Sequence, residues 1–445
     1  QSMAHIAIAY DKQKQRHRMM AVTTSIGPGA TNLATAAALA HVNRLPVLLL
    51  PGDVFATRAP DPVLQQVESF GDGTVSANDC LRPVSRYFDR ITRPEQLLQA
   101  LPKAMSVLTD PADCGPVTLG LCQDVQAEAW DYPESFFTPR VWHMRRVMPD
   151  GGELDRAMAA LKAAKRPMII AGGGVRYAGA CAAVTALAAQ AGIPVAATQA
   201  GKSSPVDAHP MYVGSLGVTG ASAANNLAAK ADVVLSIGSR LQDFTTGSNS
   251  LIGGQVVALN VQAHDLVKHG AMPLMADALR GIEALTAGLA GHATDKASQA
   301  EIADQWSGWM DAVGAVCDSP SDSNSLPSDS QVIGAVNRAC PDETIVVGAA
   351  GSMPGELHKL WQVGAVDGYH MEDGFSWMGN EVAAGIGVDM AAPDRPNVVF
   401  AGDGSYLMLN AELATAVMMG SRMTLIITDN RGFGCINRLQ AGTGG

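Results

Sequence analysis

Short apolar runs alternate with helical patterns along most of the chain. In the first third, apolar runs at 20–24, 47–50 and 117–121 are separated by helical patterns at 30–43 and 94–109. Continuous apolar runs are typical of strands buried on both faces, and their alternation with helices indicates a parallel sheet covered on both sides. The pattern therefore predicts a doubly wound α/β fold in this part of the chain.

The same alternation returns twice further along the chain. Later strands are predicted at 167–171, 194–197, 233–237, 256–260, 344–348, 397–401 and 423–428. A serine-rich stretch at 318–330 interrupts this series, as interdomain linkers often do. We therefore predict three doubly wound parallel-sheet domains, at residues 1–147, 148–317 and 331–445, with 318–330 as a linker.

Composition and charge argue against two classes of partner. The chain has 445 residues and a net charge of −11, whereas a broad nucleic-acid surface needs clustered Lys and Arg. No apolar run reaches transmembrane length and no signal peptide is visible. Seven cysteines without a CxxC pair are typical of reduced thiols in a cytosolic protein. We expect a cytoplasmic protein that binds neither nucleic acid nor a membrane.

Candidate chemistry follows two apolar strands of the third domain. The strand at 397–401 leads into Gly402-Asp403-Gly404-Ser405, and the strand at 423–428 leads into Asp429-Asn430-Arg431-Gly432. Neighbouring parallel strands would bring both turns to the same sheet edge, and glycines let backbone approach a phosphate closely. A carboxylate and an amide oxygen suit Mg²⁺. Gly-Asp-Gly alone is more often a surface turn, but the two turns together predict a Mg²⁺–diphosphate site.

These two turns resemble the signature of the thiamine diphosphate-dependent enzymes, which is Gly-Asp-Gly followed downstream by Asn. The usual Asn-Asn is replaced here by Asp429-Asn430. The resemblance implies thiamine diphosphate and Mg²⁺ as cofactors, with metal ligands at Asp403, Asn430 and the Gly432 carbonyl. It implies cofactor contacts along the same turns at Gly402, Gly404, Ser405, Asn430 and Gly432.

Other segments extend the resemblance to the pyrimidine side of such a site. The loop at 24–32 is similar to the Ser-Gly-Pro-Gly-Ala-Thr-Asn loop of the acetolactate synthase branch. The resemblance implies further cofactor contacts at Gly27, Ser352, Ser376 and Met378, with Met378 wedged under the thiazolium ring. In this superfamily the two halves of the site usually come from different subunits, so a homodimer or homotetramer is expected.

The first ten residues resemble the helix that follows the activating glutamate in the same branch. All of the fixed positions of that pattern match except the glutamate, which would lie one residue before Gln1. That carboxylate promotes loss of the cofactor's reactive proton. We therefore expect it in the parent protein, and we expect the first and last domains to be incomplete.

Longer stretches narrow the resemblance to one branch. Segments at 52–66, 351–361, 369–370 and 432–440 are similar to the trihydroxycyclohexane-1,2-dione hydrolases of inositol catabolism. The resemblance implies hydrolysis of a carbon–carbon bond in a polyhydroxylated cyclic 1,2-diketone, giving 5-deoxyglucuronate. Two alternatives stay open: a carboligase or decarboxylase of 2-oxo acids, and a non-catalytic cofactor-binding module.

Several polar residues near these motifs are candidates for substrate chemistry. We predict proton transfer by His358, His370 or Glu372, with a structural role for each as the alternative. Substrate hydroxyl groups would be bound by Arg58, Gln65 and Gln66, unless these residues belong to a solvated loop. Cys435 is expected to pack rather than react, because the cofactor already supplies a nucleophile.

The middle domain contains Gly172-Gly173-Gly174 directly after a strand. The run lacks the G-x-G-x-x-G spacing of a dinucleotide site, and no acidic residue follows at the expected distance. We therefore predict a structural role for this domain rather than nucleotide or flavin binding.

Overall fold

All three predicted strand series form parallel sheets in the computed structural model, which describes residues 1–320 and 325–443. The three sheets contain four, six and four strands. Apolar runs form their buried strands, because a parallel sheet flanked by helices hides both faces of each strand from water. The predicted α/β fold class is confirmed.

The first sheet has the strand order β1-β2-β4-β3. Its elements are α1 (Ser2–Gln13), β1 (Ala21–Thr24), α2 (Pro28–Thr31), α3 (Ala34–Asn43), β2 (Val47–Asp53), β3 (Tyr87–Ile91), α4 (Leu97–Leu108) and β4 (Pro116–Cys122). The helix predicted over 30–43 begins earlier, at Pro28, and is divided in two. The Asn32 side chain donates to the Pro28 carbonyl at 2.9 Å, a local contact that competes with a continuous helix.

The second sheet has the strand order β10-β9-β8-β5-β6-β7. Its strands are β5 (Pro167–Ala171), β6 (Val195–Ala197), β7 (Tyr212–Ser215), β8 (Val233–Ile237), β9 (Gln255–Asn260) and β10 (Met272–Met275). The helices around it are α5 (Gly151–Ala163), α6 (Gly173–Tyr177), α7 (Cys181–Ala191), α8 (Ser222–Lys230), α9 (Asp243–Thr246), α10 (Ala263–Leu266), α11 (Ala278–Gly288) and α12 (Lys296–Cys317).

The third sheet has the strand order β12-β11-β13-β14. Its strands are β11 (Ile345–Gly348), β12 (Tyr369–Met371), β13 (Asn397–Gly402) and β14 (Thr424–Thr428). The helices of this segment are α13 (Asp329–Ala339), α14 (Ser352–Leu360), α15 (Glu381–Ala391), α16 (Asp403–Tyr406), α17 (Glu412–Met419) and α18 (Gly434–Thr443). The predicted linker lies partly outside the described residues, and Ser328 caps α13 through the Gln331 amide.

The chain forms two compact units. One contains 1–145 with the segments 382–393 and 409–421, and the other contains 146–381 with 394–408 and the described residues from 422 onward. Within residues 1–320 and 325–443, no helix combines the length with the apolar character that a membrane span requires.

Candidate functional site

The two predicted turns start at the same edge of the third sheet. β13 pairs in parallel with β14 from Val398 opposite Thr424 to Gly402 opposite Thr428. The residues that follow these strands therefore leave the sheet side by side, as the sequence predicted. A hydrogen bond joins the turns directly, since Asp403 Oδ2 accepts from the Gly432 amide at 2.8 Å.

The oxygen atoms of these turns fit a hard divalent cation. Asp403 Oδ1 is buried and has no hydrogen-bond partner among the described residues. The Asn430 side chain lies beside the start of α18, because a Cβ on Gly434 would come within 3.1 Å of Asn430 Nδ2. In the described part of the chain no cluster of three His, Cys, Asp or Glu side chains suits a metal. A cation here would therefore need amide, carbonyl and ligand oxygens as well, the donor set that Mg²⁺ accepts.

A cavity of about 440 Å³ opens beside the two turns. This volume falls in the range of small-molecule sites. Eight of the nine residues predicted to contact the cofactor line it: Ser352, Ser376, Met378, Gly402, Gly404, Ser405, Asn430 and Gly432. The ninth, Gly27, belongs to the other compact unit.

Two of the glycines that line this cavity leave open space beside their backbone. A Cβ on Gly402 or Gly432 would meet nothing within 4 Å, so the backbone there can be approached closely by a ligand. Gly404 has a different constraint, because a Cβ there would lie 2.7 Å from the Phe433 ring. Gly432 also has φ of +150°, a conformation that favours glycine.

The turn that carries Met378 is connected to the Gly402–Ser405 turn by a buried acid. The Gly379 amide contacts Ser405 Oγ at 2.8 Å and Glu381 Oε2 at 3.0 Å. The Ser405 hydroxyl donates to Glu381 Oε1 at 2.5 Å. Burial raises the pKa of Glu381 to about 7, because the charged form loses its hydration. Glu381 is absent from the residues predicted from the sequence, although an acid among the small and apolar residues at the start of α15 is a visible signal.

Glu372 holds the loop that leads to Met378. One of its carboxylate oxygens accepts from the Phe375 amide at 2.9 Å, and the other accepts from the Trp377 amide at 2.8 Å. Glu372 is buried and is absent from the lining of the cavity. These contacts give it a clear structural task.

His358 and His370 also lie outside the cavity lining. His358 is buried on α14, and its Nδ1 lies 3.0 Å from both the hydroxyl and the carbonyl oxygen of Thr219. Burial, assisted by the positive charge of Lys202, lowers the pKa of His358 well below its ordinary value. His370 is buried within β12.

A buried lysine supports the end of α14. Lys202 Nζ donates to the carbonyls of Leu357 and His358, at 3.2 and 2.7 Å. Burial lowers the pKa of Lys202 to about 8, opposed by the charge of Asp207. The other end of α14 carries Ser352 and Met353 into the cavity lining. Lys202 therefore holds the C-terminal end of a helix whose N-terminal end lines the candidate site.

Four of the predicted residues, Gly27, Arg58, Gln65 and Gln66, lie in the first unit. Gly27 has φ of +62°, and a Cβ there would lie 1.6 Å from the Gln65 carbonyl oxygen, so only glycine fits. Arg58 and Gln66 line a second cavity of about 490 Å³. Gln66 Oε1 accepts from the Ala77 amide at 3.0 Å, which fixes that side chain.

The glycine run of the second sheet is packed against its neighbour strand. A Cβ on Gly172 would come within 2.5 Å of the Gly238 carbonyl oxygen, and the Gly174 amide donates to that oxygen at 3.0 Å. The Gly172 amide donates to Ile237 at 2.8 Å. Amides that donate to backbone carbonyls are unavailable to a phosphate. The glycines thus serve close backbone packing, which agrees with the predicted structural role.

Sequence comparisons agree with this site. The chain matches the N-terminal thiamine pyrophosphate-binding domain over residues 1–71, the central domain over 154–285 and the C-terminal binding domain over 349–445. Fold, cavity and matches together define the chain as a thiamine pyrophosphate enzyme.

Curated relatives narrow this class. The chain is 43% identical over 466 residues to the 3D-(3,5/4)-trihydroxycyclohexane-1,2-dione hydrolase of Geobacillus thermodenitrificans (strain NG80-2). It is 42% identical over 468 residues to the hydrolase of the same name from Clostridium perfringens (strain ATCC 13124). Both alignments cover the whole chain and 73% of the relative. The chain belongs to the family of the 3D-(3,5/4)-trihydroxycyclohexane-1,2-dione hydrolases.

Proposed function

We propose that this chain hydrolyses a carbon–carbon bond of trihydroxycyclohexane-1,2-dione to give 5-deoxyglucuronate, in the catabolism of myo-inositol. The observation that carries the proposal is the cavity at the ends of β13 and β14. Eight of the residues that the resemblance implies as cofactor contacts line it, in a chain that belongs to a family of such hydrolases. The family relationship supports the cyclic diketone as the substrate over a 2-oxo acid.

The cofactors of this proposal are thiamine diphosphate and Mg²⁺. When bound, thiamine diphosphate supplies the nucleophile and the electron sink for bond cleavage. Asp403, Asn430 and the Gly432 carbonyl would hold the metal ion, which would neutralise the charge of the diphosphate. The Asp403–Gly432 hydrogen bond supports this assignment, because it orients one carboxylate oxygen and leaves the other to a cation. Ser376 and Met378 line the cavity and would contact the pyrimidine and thiazolium rings of the cofactor.

Proton transfer is proposed for His358, His370 or Glu372, as the sequence predicted. The contacts divide these three candidates. His358 is held by Thr219 and has a strongly lowered pKa, and Glu372 spends both oxygens on backbone amides. These contacts favour positioning roles for His358 and Glu372.

Other parts of the proposal rest on the family relationship. We propose a pyrimidine-binding domain at 1–147, a central domain at 148–317 and a diphosphate-binding domain at 331–445. We also propose a cytoplasmic homodimer or homotetramer in which two subunits share each site. The three matched segments support this domain arrangement, since each falls within one proposed domain.

A substrate comparison tests the proposal. The full-length parent protein is supplied with thiamine diphosphate and Mg²⁺ and offered either the cyclic dione or pyruvate. We expect consumption of the dione with release of an open-chain acid, no turnover of pyruvate, and loss of activity in Asp403→Ala. Turnover of pyruvate without consumption of the dione would contradict the proposal and favour a carboligase or decarboxylase.

A further inference from the structure

Glu381 is a buried acid that no metal or substrate assignment uses. It is the first residue of α15 and is only 2% exposed. Its hydrogen bonds go to a hydroxyl group and a backbone amide, and the described residues give it no ion pair. A buried carboxylate is costly without such partners, so its position calls for a specific role.

The two partners of Glu381 belong to different walls of the cofactor cavity. Gly379 directly follows Met378, which lines the cavity, and Ser405 lines the cavity together with Gly402. The Gly379 amide and the Ser405 hydroxyl are 2.8 Å apart although they are separated by 26 residues of chain. Glu381 accepts from both groups, from the Gly379 amide at 3.0 Å and from the Ser405 hydroxyl at 2.5 Å. The three residues thus form a closed ring of hydrogen bonds.

We infer that Glu381 is a positioning residue for the cofactor, which ties the turn of Met378 to the turn of Gly402–Ser405 and sets the distance between the two walls. The inference rests on the proposed function, because it takes thiamine diphosphate as the molecule that contacts both walls. The binding of a molecule that contacts both walls depends on the distance between them. The binding of a molecule that contacts only one turn does not.

A carboxylate is the side chain that this ring requires. The Gly379 amide and the Ser405 hydroxyl are both donors, and each meets a different oxygen of Glu381. Glutamine offers one acceptor oxygen and would turn its amide hydrogens toward the second donor. Because the Ser405 hydroxyl donates to Glu381, a bound cofactor would contact Ser405 through its backbone.

The ring also separates this role from simple helix capping. A residue that only started α15 would affect folding and leave the spacing of the cavity walls unchanged. Glu381 instead contacts one residue from each wall, so its removal should weaken ligands according to how many walls they touch.

Binding of two probes tests the inference. Titration calorimetry on the full chain, with Mg²⁺, measures the Kd of thiamine diphosphate and of inorganic diphosphate for the unmodified protein, Glu381→Gln and Asp389→Asn. Asp389 is the matched control, an acid further along α15. We expect Glu381→Gln to raise the Kd of thiamine diphosphate about 10- to 100-fold. The Kd of inorganic diphosphate should rise less than about threefold, and Asp389→Asn should change neither.

Ser405→Ala gives an independent measurement should Glu381→Gln fail to fold, as judged by circular dichroism. It breaks the same ring from the other side, so it should weaken thiamine diphosphate more than inorganic diphosphate. The double variant of Glu381 and Ser405 should bind thiamine diphosphate about as well as the single variant with the higher Kd. Both substitutions remove the same shared interaction.

Three results would overturn the inference. Unchanged binding of thiamine diphosphate in Glu381→Gln, or equal weakening of the binding of both probes, would overturn the role of Glu381 but leave the proposed function intact. No binding of thiamine diphosphate by the unmodified chain would overturn the proposed function as well.

Discussion

The carboxylate of Asp403 and the backbone amide of Gly432 are 2.8 Å apart, which joins the turn after β13 to the turn after β14. The hydrogen bond fixes the direction of the Asp403 side chain at the edge of the sheet. Its second oxygen is buried and has no partner among the described residues. One oxygen therefore orients the carboxylate, and the other would be available to the cation that we propose.

Replacement of Asp403 by Asn should remove most Mg²⁺-dependent binding of thiamine diphosphate. The amide keeps the shape of the side chain but loses the charge, so we expect at least a tenfold rise in the Kd. Titration calorimetry with and without Mg²⁺ measures the change. Asp394→Asn is the control, since this exposed acid precedes the opposite end of β13. Similar Kd values for both variants would argue against a metal site at Asp403.

Substitution of Met378 should separate shape from chemistry at the cavity wall. Met378→Leu keeps most of the apolar volume, so we expect it to retain most of the activity. Met378→Ala removes the side chain that we propose to contact the rings, and we expect kcat to fall about tenfold or more. Steady-state kinetics at saturating thiamine diphosphate measures both variants. Equal activity of the two would show that Met378 only fills space.

Replacement of Glu372 by Gln should lower stability rather than change the pH dependence of catalysis. The amide can accept only one of the two backbone hydrogen bonds, and the loss of the other should cost about 1–3 kcal/mol. Urea unfolding measures the loss, with the exposed Glu343→Gln as the control. A shifted pH–rate profile with unchanged stability would instead support proton transfer by Glu372.

Asp11 should make the first unit less stable as the pH rises. It is buried on α1, and desolvation raises its pKa to about 9, although a hydrogen bond from the Met20 amide at 3.1 Å opposes this. The folded state therefore prefers the protonated acid. The stability that this preference contributes is fully present below the ordinary aspartate pKa of about 4, and it is lost as the pH rises toward 9.

Urea unfolding at about pH 5, 7 and 9 measures the pH dependence of stability in the unmodified chain and in Asp11→Asn. The difference between the two proteins isolates the contribution of Asp11 from that of other titrating groups. We expect Asp11→Asn to become relatively more stable with rising pH. A constant difference would mean that Asp11 has an ordinary pKa in the folded state.

The amino-acid sequence alone determined the fold class and most of the cofactor motif. Apolar runs such as 167–171 and 233–237 form strands with the predicted bounds, because a buried strand is encoded by its own residues. The turns at Gly402 and Gly432 are equally local, since a glycine turn after a strand depends on few neighbours. The motifs that resemble the family lie in such local segments.

Less regular strands escaped prediction. β3 contains Asp89 and Arg90, so it lacks a continuous apolar run. Arg90 is tolerated there because it is paired with Asp53 and Asp79, at 2.7 and 2.8 Å. Since Asp53 is separated from Arg90 by 37 positions in the sequence, no local pattern could reveal this pairing.

Only the tertiary structure decided the roles of the buried polar residues. The sequence marked His358 and Glu372 as possible acids or bases, whereas the fold surrounds them with Thr219 and with the backbone amides of a loop. It also brought Glu381 to Ser405, a contact that spans 24 residues of chain. The role of a polar side chain depends on its partners and its exposure to water, and both are fixed only when distant segments pack together.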